Sequence, residues 1–164
     1  MVLASGRSGR VSPDDLRSAL LDVCTSLTRQ IAADGEGAET LIEVKVDGAR
    51  DIRQARLVAK SIVNSPLVKT AVHGADPNWG RVAMAIGKCS DETDIDPDRV
   101  VIRFGSDEVF PRQVGPDDLE RLSEYLRGDE VLIHVSLGAG QAVGTVWGCD
   151  LTDGYVRINA DYTT

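Results

Sequence analysis

The sequence is poor in aromatic residues, since Trp, Tyr and Phe together account for 4% of its 164 residues. A core without large rings has to be built mainly from Val, Ile, Leu and Ala. Cysteine is scarce too: Cys24, Cys89 and Cys149 lie far apart, with no Cys-X-X-Cys pair. This pattern argues against a disulfide framework and against a zinc site. We therefore expect reduced core thiols and a cytoplasmic protein.

Long hydrophobic runs and positive charge are also in short supply. No apolar run approaches the roughly 20 residues that span a bilayer, and the first ten residues lack the apolar segment of a secretory signal. The net charge of −8 argues against a nucleic-acid partner, because phosphate binding needs a surplus of Lys and Arg. The length and the 42% hydrophobic content favour a single globular domain over residues 1–164, with neither a membrane nor a nucleic-acid partner.

In the first half of the chain, the hydrophobic periodicity alternates between helix and strand. Ser12 is expected to cap an amphipathic helix that ends near "DGEG", and Cys24 is expected to lie in the core beside its apolar stripe. Residues 41–48 alternate as a half-buried strand, and residues 51–66 return to helical spacing. The stripe that we expect to be buried consists of Leu16, Leu20, Val23, Leu27 and Ile31.

In the second half, residues 99–111 predict a hairpin and residues 116–128 a helix with Leu119, Leu122, Tyr125 and Leu126 facing inward. Three strands joined by Gly-rich turns are predicted over residues 130–162. The motif "GAGQAVG" precedes a strand instead of a helix, which argues against a dinucleotide loop. Interleaved strands and helices predict an α/β or α+β layered domain, with a mixed sheet packed against helices.

The most conspicuous stretch is "KTAVHGADPNWGRVAMAIGKC", which begins with a segment that we expect to be extended. Asp76 and Pro77 are typical of a helix start, so we interpret the rest as a capped, buried helix instead of a catalytic centre. His73 precedes this helix, and an acid–base role for it is the less favoured alternative. His134, the second histidine, is expected to be a surface or satisfied core side chain.

Two further segments carry polar groups that could contact a ligand. Glu36 lies in a Gly-flanked loop, which can present a carboxylate to a cationic substrate or simply carry a solvated charge. The final residues, "YVRINADYTT", predict a strand that runs almost to the end of the chain. Such a terminus can offer Asn159 and Thr164 to a ligand, although ordinary anchoring of an edge strand is the alternative.

Four motifs in the same order resemble the β chain of the ornithine acetyltransferase family, the bifunctional glutamate N-acetyltransferases of arginine biosynthesis. They are "DGEGAETLIEV", "VNSPLVKTA", "HGADPNWGRVAMAIGKC" and "WGCDLTDGYVRINADYTT". The resemblance runs from about Met1 to Thr164, and several stretches are also similar to the paralogue of clavulanic acid clusters. It implies the family's fold, an N-terminal-nucleophile-like β-chain domain with a mixed sheet.

The resemblance also implies a mechanism. A precursor cuts itself before a threonine, which becomes the acyl nucleophile of the β chain, and acetyl passes from N-acetylornithine to this threonine and then to glutamate. No metal or organic cofactor is implied, and an α2β2 heterotetramer is the implied assembly. Glu36, Asn159 and Thr164 correspond to substrate-binding residues of the family.

The sequence departs from the family pattern at the nucleophile. No catalytic residue is assigned, because the threonine segment and the α chain are expected to lie outside these 164 residues. The chain would then be a C-terminal portion of the β chain, inactive by itself. A non-catalytic module or truncated product that binds ornithine or a partner chain is the alternative, and a clavulanate-type paralogue with a different acceptor preference is another. A smaller departure is "GAET", which replaces the Thr-Lys pair usual in the family.

Overall fold

The computed structural model describes residues 5–7 and 9–161. In this part of the chain five strands form one sheet, in the order β3-β2-β4-β1-β5. The β1–β4 pair is parallel, whereas β1–β5, β2–β3 and β2–β4 are antiparallel. The predicted mixed sheet is therefore confirmed. The strands are β1 (Leu41–Ala49), β2 (Val101–Phe104), β3 (Asp107–Phe110), β4 (Glu130–Ser136) and β5 (Ala142–Cys149).

Six α-helices of the described residues accompany the sheet. They are α1 (Pro13–Ala33), α2 (Ile52–Val63), α3 (Pro66–His73), α4 (Trp79–Gly87), α5 (Pro116–Leu126) and α6 (Asp153–Ala160). Short 3-10 helices cover Lys88–Asp91 and Pro97–Arg99. Among the described helices, none combines the length and the apolar character required to cross a membrane. The arrangement is the mixed α/β class that the sequence predicts.

The core lies between the sheet and α2. Ile42, Val44 and Val46 of β1 are fully buried, as the alternation of that strand predicts. On α2 the same is true of Val58 and Ile62. Aliphatic side chains thus form this core, in agreement with the low aromatic content.

Helix α1 corrects one prediction and confirms another. Its Ser12 cap is confirmed, because the hydroxyl accepts a hydrogen bond from the amide of Asp15 at 3.0 Å. Its stripe is not buried: no residue of α1 is buried, and Cys24 is also exposed. Exposure reaches 51% for Leu27 and 75% for Ile31. Helical periodicity reports that a face is apolar, but not that the same chain covers it.

The conspicuous stretch also folds differently at its start. Residues 66–73 form α3 and are not extended, because Pro66 occupies the first helical turn, where its missing N–H costs nothing. Helix α4 begins at Trp79, after Asn78 instead of Asp76. The amide of Asp76 donates to the carbonyl of Ala71 at 2.8 Å, so Asp76 belongs to the end of α3. The predicted buried helix itself is confirmed by α4.

The last of the three predicted strands is wrong. The hairpin β2–β3, α5 and the strands β4 and β5 are confirmed, but residues 153–160 form α6. Thr152 caps this helix, since its hydroxyl accepts from the amide of Tyr155 at 3.0 Å. Val156 and Ile158 are half or more exposed, so their alternation reflects no buried sheet face. On α5, Leu122 and Leu126 are buried as predicted, whereas Leu119 is 45% exposed.

Candidate functional site

Glu36 and Asn159 meet at one end of the sheet. Glu36 lies in the loop between α1 and β1, and Asn159 lies in the last turn of α6. The side-chain amide of Asn159 donates to Oε2 of Glu36 at 3.0 Å and to the carbonyl of Tyr155, also at 3.0 Å. Both side chains are open to solvent. Two of the three predicted substrate-binding residues are therefore neighbours, while Thr164 lies outside the described residues.

The loop that carries Glu36 touches α6 through its backbone. Gly37 adopts a φ of +65°, which favours glycine, and a Cβ there would lie 2.5 Å from the amide nitrogen of Tyr155. The hydroxyl of Thr152 donates to the carbonyl of Gly37 at 2.6 Å. Because the same hydroxyl caps α6, Thr152 joins the Glu36 loop to the helix that carries Asn159.

Asp150 holds the other end of this loop. Its side chain is buried, and Oδ1 accepts the amides of Glu39 at 2.9 Å and Thr40 at 3.1 Å. The amide of Asp150 donates in turn to the carbonyl of Thr40 at 3.1 Å. The segment "CDLT" after β5 thus organises the site from both sides. Sequence reasoning missed Asp150 and Thr152, although a Thr before a possible helix start was an available signal.

A second polar cluster lies beside Asp150. Nδ1 of His73, the last residue of α3, is 3.3 Å from Oδ2 of Asp150 and 3.4 Å from Oε2 of Glu39. The ligand-type atoms of the three residues lie within 4.8 Å of one another. His73 is 31% exposed and Asp150 is fully covered. The cluster adjoins the Glu36 loop because Glu39 belongs to that loop.

The other histidine forms a separate pair on the sheet. His134 of β4 lies 2.7 Å from the carboxylate of Asp47 on β1, so it is satisfied, as predicted. Partial burial would raise the pKa of Asp47, but hydrogen bonds with Ser136 and His134 outweigh it and keep the pKa below its usual value. Neither residue contacts the Glu36 loop through a hydrogen bond or ion pair of the described residues.

Residues 76–80 of the "HGADPNWGR" motif line a different surface from His73. An open groove of about 890 Å³ lies between the start of α4 and α5, and Trp79 stacks there at an angle on Phe110, with ring centroids 4.9 Å apart. Neither Glu36 nor Asn159 lines this groove. Apart from His73, which lies beside Glu39, the motif residues that line the groove are thus distinct from the candidate substrate-binding residues.

The buried thiol of Cys89 is poorly suited to act as a nucleophile. Burial raises the pKa of Cys89, which is 3% exposed, so the thiolate form is disfavoured there. All three cysteines are free.

Comparisons with known proteins agree with the motifs. The sequence model of the protein family described as "ArgJ family" matches residues 1–164. The chain is 57% identical over 164 residues to the arginine biosynthesis bifunctional protein ArgJ 2 of Nostoc sp., covering 100% of this chain and 42% of that protein. It is 55% identical over 169 residues to the glutamate N-acetyltransferase Oat2 of Streptomyces clavuligerus, covering 100% of this chain and 43% of that protein.

The fold agrees with a solved relative as well. A crystal structure of the arginine biosynthesis bifunctional protein ArgJ from Bacillus halodurans superposes with a TM-score of 0.89 at 42% identity, over 99% of this chain and 79% of that one. The chain spans about two fifths of the length of the two curated relatives named above, 42% in one case and 43% in the other. Both the sequence and the fold lead to one conclusion: the chain belongs to the ArgJ family.

Proposed function

We propose that this chain is the C-terminal portion of the β chain of an ornithine acetyltransferase. It supplies part of the wall that binds substrate in an enzyme that moves acetyl from N-acetylornithine to glutamate. The observation that carries the proposal is the contact between Asn159 and Glu36, two residues that the family resemblance assigns to substrate binding. The names of the relatives, which include glutamate N-acetyltransferases, support the same activity.

The chemistry of the two side chains suits an amino-acid substrate. Ornithine carries ammonium groups, and the exposed carboxylate of Glu36 can accept charge-assisted hydrogen bonds from them. The side-chain amide of Asn159 already donates to Glu36 and to the carbonyl of Tyr155, so its oxygen remains as an acceptor for the ammonium group of the substrate. The hydrogen bond between them holds Oε2 of Glu36 in place, which leaves Oε1 free to turn toward a ligand. In this proposal Glu36 and Asn159 bind and orient the substrate, and Thr164 adds its hydroxyl.

The acyl nucleophile is proposed to come from the remaining length of the protein, as in the family pattern. The hydroxyl of that threonine attacks the acetyl carbonyl, and its proton leaves with ornithine. The amine of glutamate then takes the acetyl group from the ester and returns a proton to the threonine oxygen. This cycle is balanced without a metal or an organic cofactor. We infer that the complete enzyme is an α2β2 assembly in the cytoplasm, where three free cysteines are stable as thiols.

The exposed apolar face of α1 is evidence in favour of a partner chain. Leu20, Val23 and Leu27 lie on one side of this helix and are 37%, 56% and 51% exposed. Exposed apolar side chains grouped on one face of a helix are typical of an interface. We propose that the remaining part of the enzyme covers it.

The test is an acetyl-transfer assay on two preparations. One is the chain alone, and the other includes whatever the reading frame encodes upstream of Met1. We expect transfer from N-acetylornithine to glutamate only in the second. Robust turnover by the chain alone would refute the claim that the nucleophile lies elsewhere. An upstream frame without the threonine segment would favour the alternative, a non-catalytic module or truncated product that binds ornithine or a partner chain.

A second candidate within the same class is a clavulanate-type paralogue. The observation behind this candidate is the 55% identity to Oat2 of Streptomyces clavuligerus, which is close to the 57% identity to the Nostoc protein. Kinetics with several amino-acid acceptors separate the two, because an arginine-cycle enzyme is expected to prefer glutamate.

A further inference from the structure

Three separate elements bring potential metal ligands together beside the Glu36 loop. His73 ends α3, Glu39 precedes β1, and Asp150 follows β5. They form a cluster of three atoms of metal-ligand type, with all three within 4.8 Å of one another. Residues so far apart in sequence meet here only because the fold joins the ends of two neighbouring strands to a helix end.

The decisive observation is an unpartnered buried oxygen. The side chain of Asp150 has 0% exposure, and its Oδ1 is satisfied by two backbone amides. Its Oδ2 has no hydrogen-bond donor among the described residues, because Nδ1 of His73 approaches to 3.3 Å without the geometry of a hydrogen bond. A buried carboxylate oxygen is costly unless it is paired or coordinates a cation. Oδ2 points into the space that His73 and Glu39 share.

The spacing of the three atoms suits a small cation. Tetrahedral zinc sites have bonds of about 2.0–2.1 Å, which places neighbouring ligand atoms about 3.3 Å apart. Nδ1 of His73 lies 3.3 Å from Oδ2 of Asp150 and 3.4 Å from Oε2 of Glu39, so two edges of such a tetrahedron already exist. The side chain of Glu39 is 67% exposed and free to rotate until the third edge closes.

We propose that His73 Nδ1, Asp150 Oδ2 and Glu39 Oε2 bind one divalent transition cation of the Zn²⁺ class, with solvent in the fourth position. The imidazole ligand disfavours Ca²⁺ and Mg²⁺, which prefer six or more oxygens. The amides of Glu39 and Thr40 already hold the opposite oxygen of Asp150, and such outer contacts orient a ligand. The cation links α3 to the Glu36 loop, so its role is to stabilise that loop and not to take part in acetyl transfer.

The test measures binding directly, on the full chain treated with a chelator and then exchanged into metal-free buffer. Calorimetric titration with Zn²⁺ is expected to show one equivalent bound, and the melting temperature is expected to rise with cation concentration. Co²⁺ is then added as a spectroscopic probe. Its visible absorption should indicate a tetrahedral site with nitrogen and oxygen ligands, without the thiolate charge-transfer band that binding at Cys24 or Cys149 would produce.

Variants assign the ligands. H73A and E39Q are expected to weaken Zn²⁺ binding by more than the roughly 10–100-fold that loss of an outer contact causes. H134A is the matched control, because this histidine pairs with Asp47 outside the cluster, and its binding should equal that of the wild type. Glu39 is exposed, so E39Q is expected to fold even if H73A does not. Absence of stoichiometric binding, a thiolate band, or unchanged affinity in E39Q would each overturn the proposal.

Discussion

Asn159 donates a hydrogen bond of 3.0 Å to Glu36, although 123 positions separate the two residues in the chain. The contact joins the loop before the first strand to the last helix. It exists because Thr152 and Gly37 hold this helix against the loop. The candidate substrate-binding site is thus a property of two segments that pack together.

Glu36→Gln is expected to weaken ornithine binding to the complete enzyme by about 1–3 kcal/mol, the usual scale for a lost charge-assisted hydrogen bond. The amide keeps the size of the side chain but lacks its charge. Calorimetric titration with ornithine measures the effect. Glu120→Gln is the matched control, because Glu120 is an exposed glutamate on α5, away from the loop. Unchanged affinity in the Glu36 variant would remove Glu36 from the site.

Gly37→Ala is expected to separate the Glu36 loop from α6. The new Cβ would meet the backbone of Gly154 and Tyr155 at 2.8 and 2.5 Å, in addition to about 1–2 kcal/mol of left-handed strain. Ornithine affinity and the hydrogen-exchange protection of α6 should both fall. Gly9→Ala is the control, since Gly9 has a φ of +73° with nothing within 4 Å of the added carbon. Equal losses in the Gly37 and Gly9 variants would show that left-handed strain, and not the clash with α6, is the cause.

Thr152→Val removes a buried hydroxyl that makes two contacts, one with the amide of Tyr155 and one with the carbonyl of Gly37. Loss of a helix cap typically costs about 0.5–2 kcal/mol, and the carbonyl loses its donor as well. Denaturant unfolding should therefore show a free energy of unfolding lower by about 1–3 kcal/mol. Thr152→Ser keeps the hydroxyl and should retain most of the stability. A serine variant as unstable as the valine variant would instead implicate the methyl group.

Asp47→Asn is expected to change how stability depends on pH. The pKa of Asp47 is lower in the folded protein than its ordinary value of about 3.9. The folded state therefore favours the carboxylate, which stabilises the protein above pH 4, and this contribution is lost as the pH falls through the lowered pKa. Urea unfolding between about pH 2 and 7 should show a smaller acid-dependent loss in the variant. Parallel curves for wild type and variant would contradict the prediction.

Leu27→Glu tests the exposed face of α1. Leu27 is 51% exposed, so the charge should leave the melting temperature of this chain nearly unchanged. In the complete enzyme the same charge would be buried at the proposed interface, and assembly should weaken by several kcal/mol, as burial of an unpaired charge predicts. Analytical ultracentrifugation measures the assembly. Ser18→Glu, a change on another side of the helix, is the control and should assemble normally.

Local signals in the sequence predicted much of the fold. The alternation of Ile42, Val44 and Val46 predicted β1 because one face of a strand is buried every second residue. Ser12 predicted the start of α1 because its hydroxyl satisfies a free amide of the first turn. The interleaving of strands and helices predicted the mixed sheet, and the resemblance to the family identified Glu36 and Asn159 as candidate residues.

Other features did not follow from local signals. Short apolar runs fit either helix or strand, so the sequence predicts extended segments where α3 and α6 form. In the structure, α3 begins at Pro66 and α6 is capped by Thr152. No spacing of residues in the sequence identified Asp150 as a candidate. Its importance arises because the end of β5 lies beside the loop before β1, where two amides need an acceptor.

The sequence by itself determined which faces are apolar, where several helices begin and to which family the chain belongs, because these depend on neighbouring residues and on the order of motifs. Only the tertiary structure decided that the described residues leave the apolar face of α1 exposed, that Asn159 reaches Glu36, and that His73, Glu39 and Asp150 share one space. These are contacts between segments distant in the chain, and the packing of the sheet sets their distances.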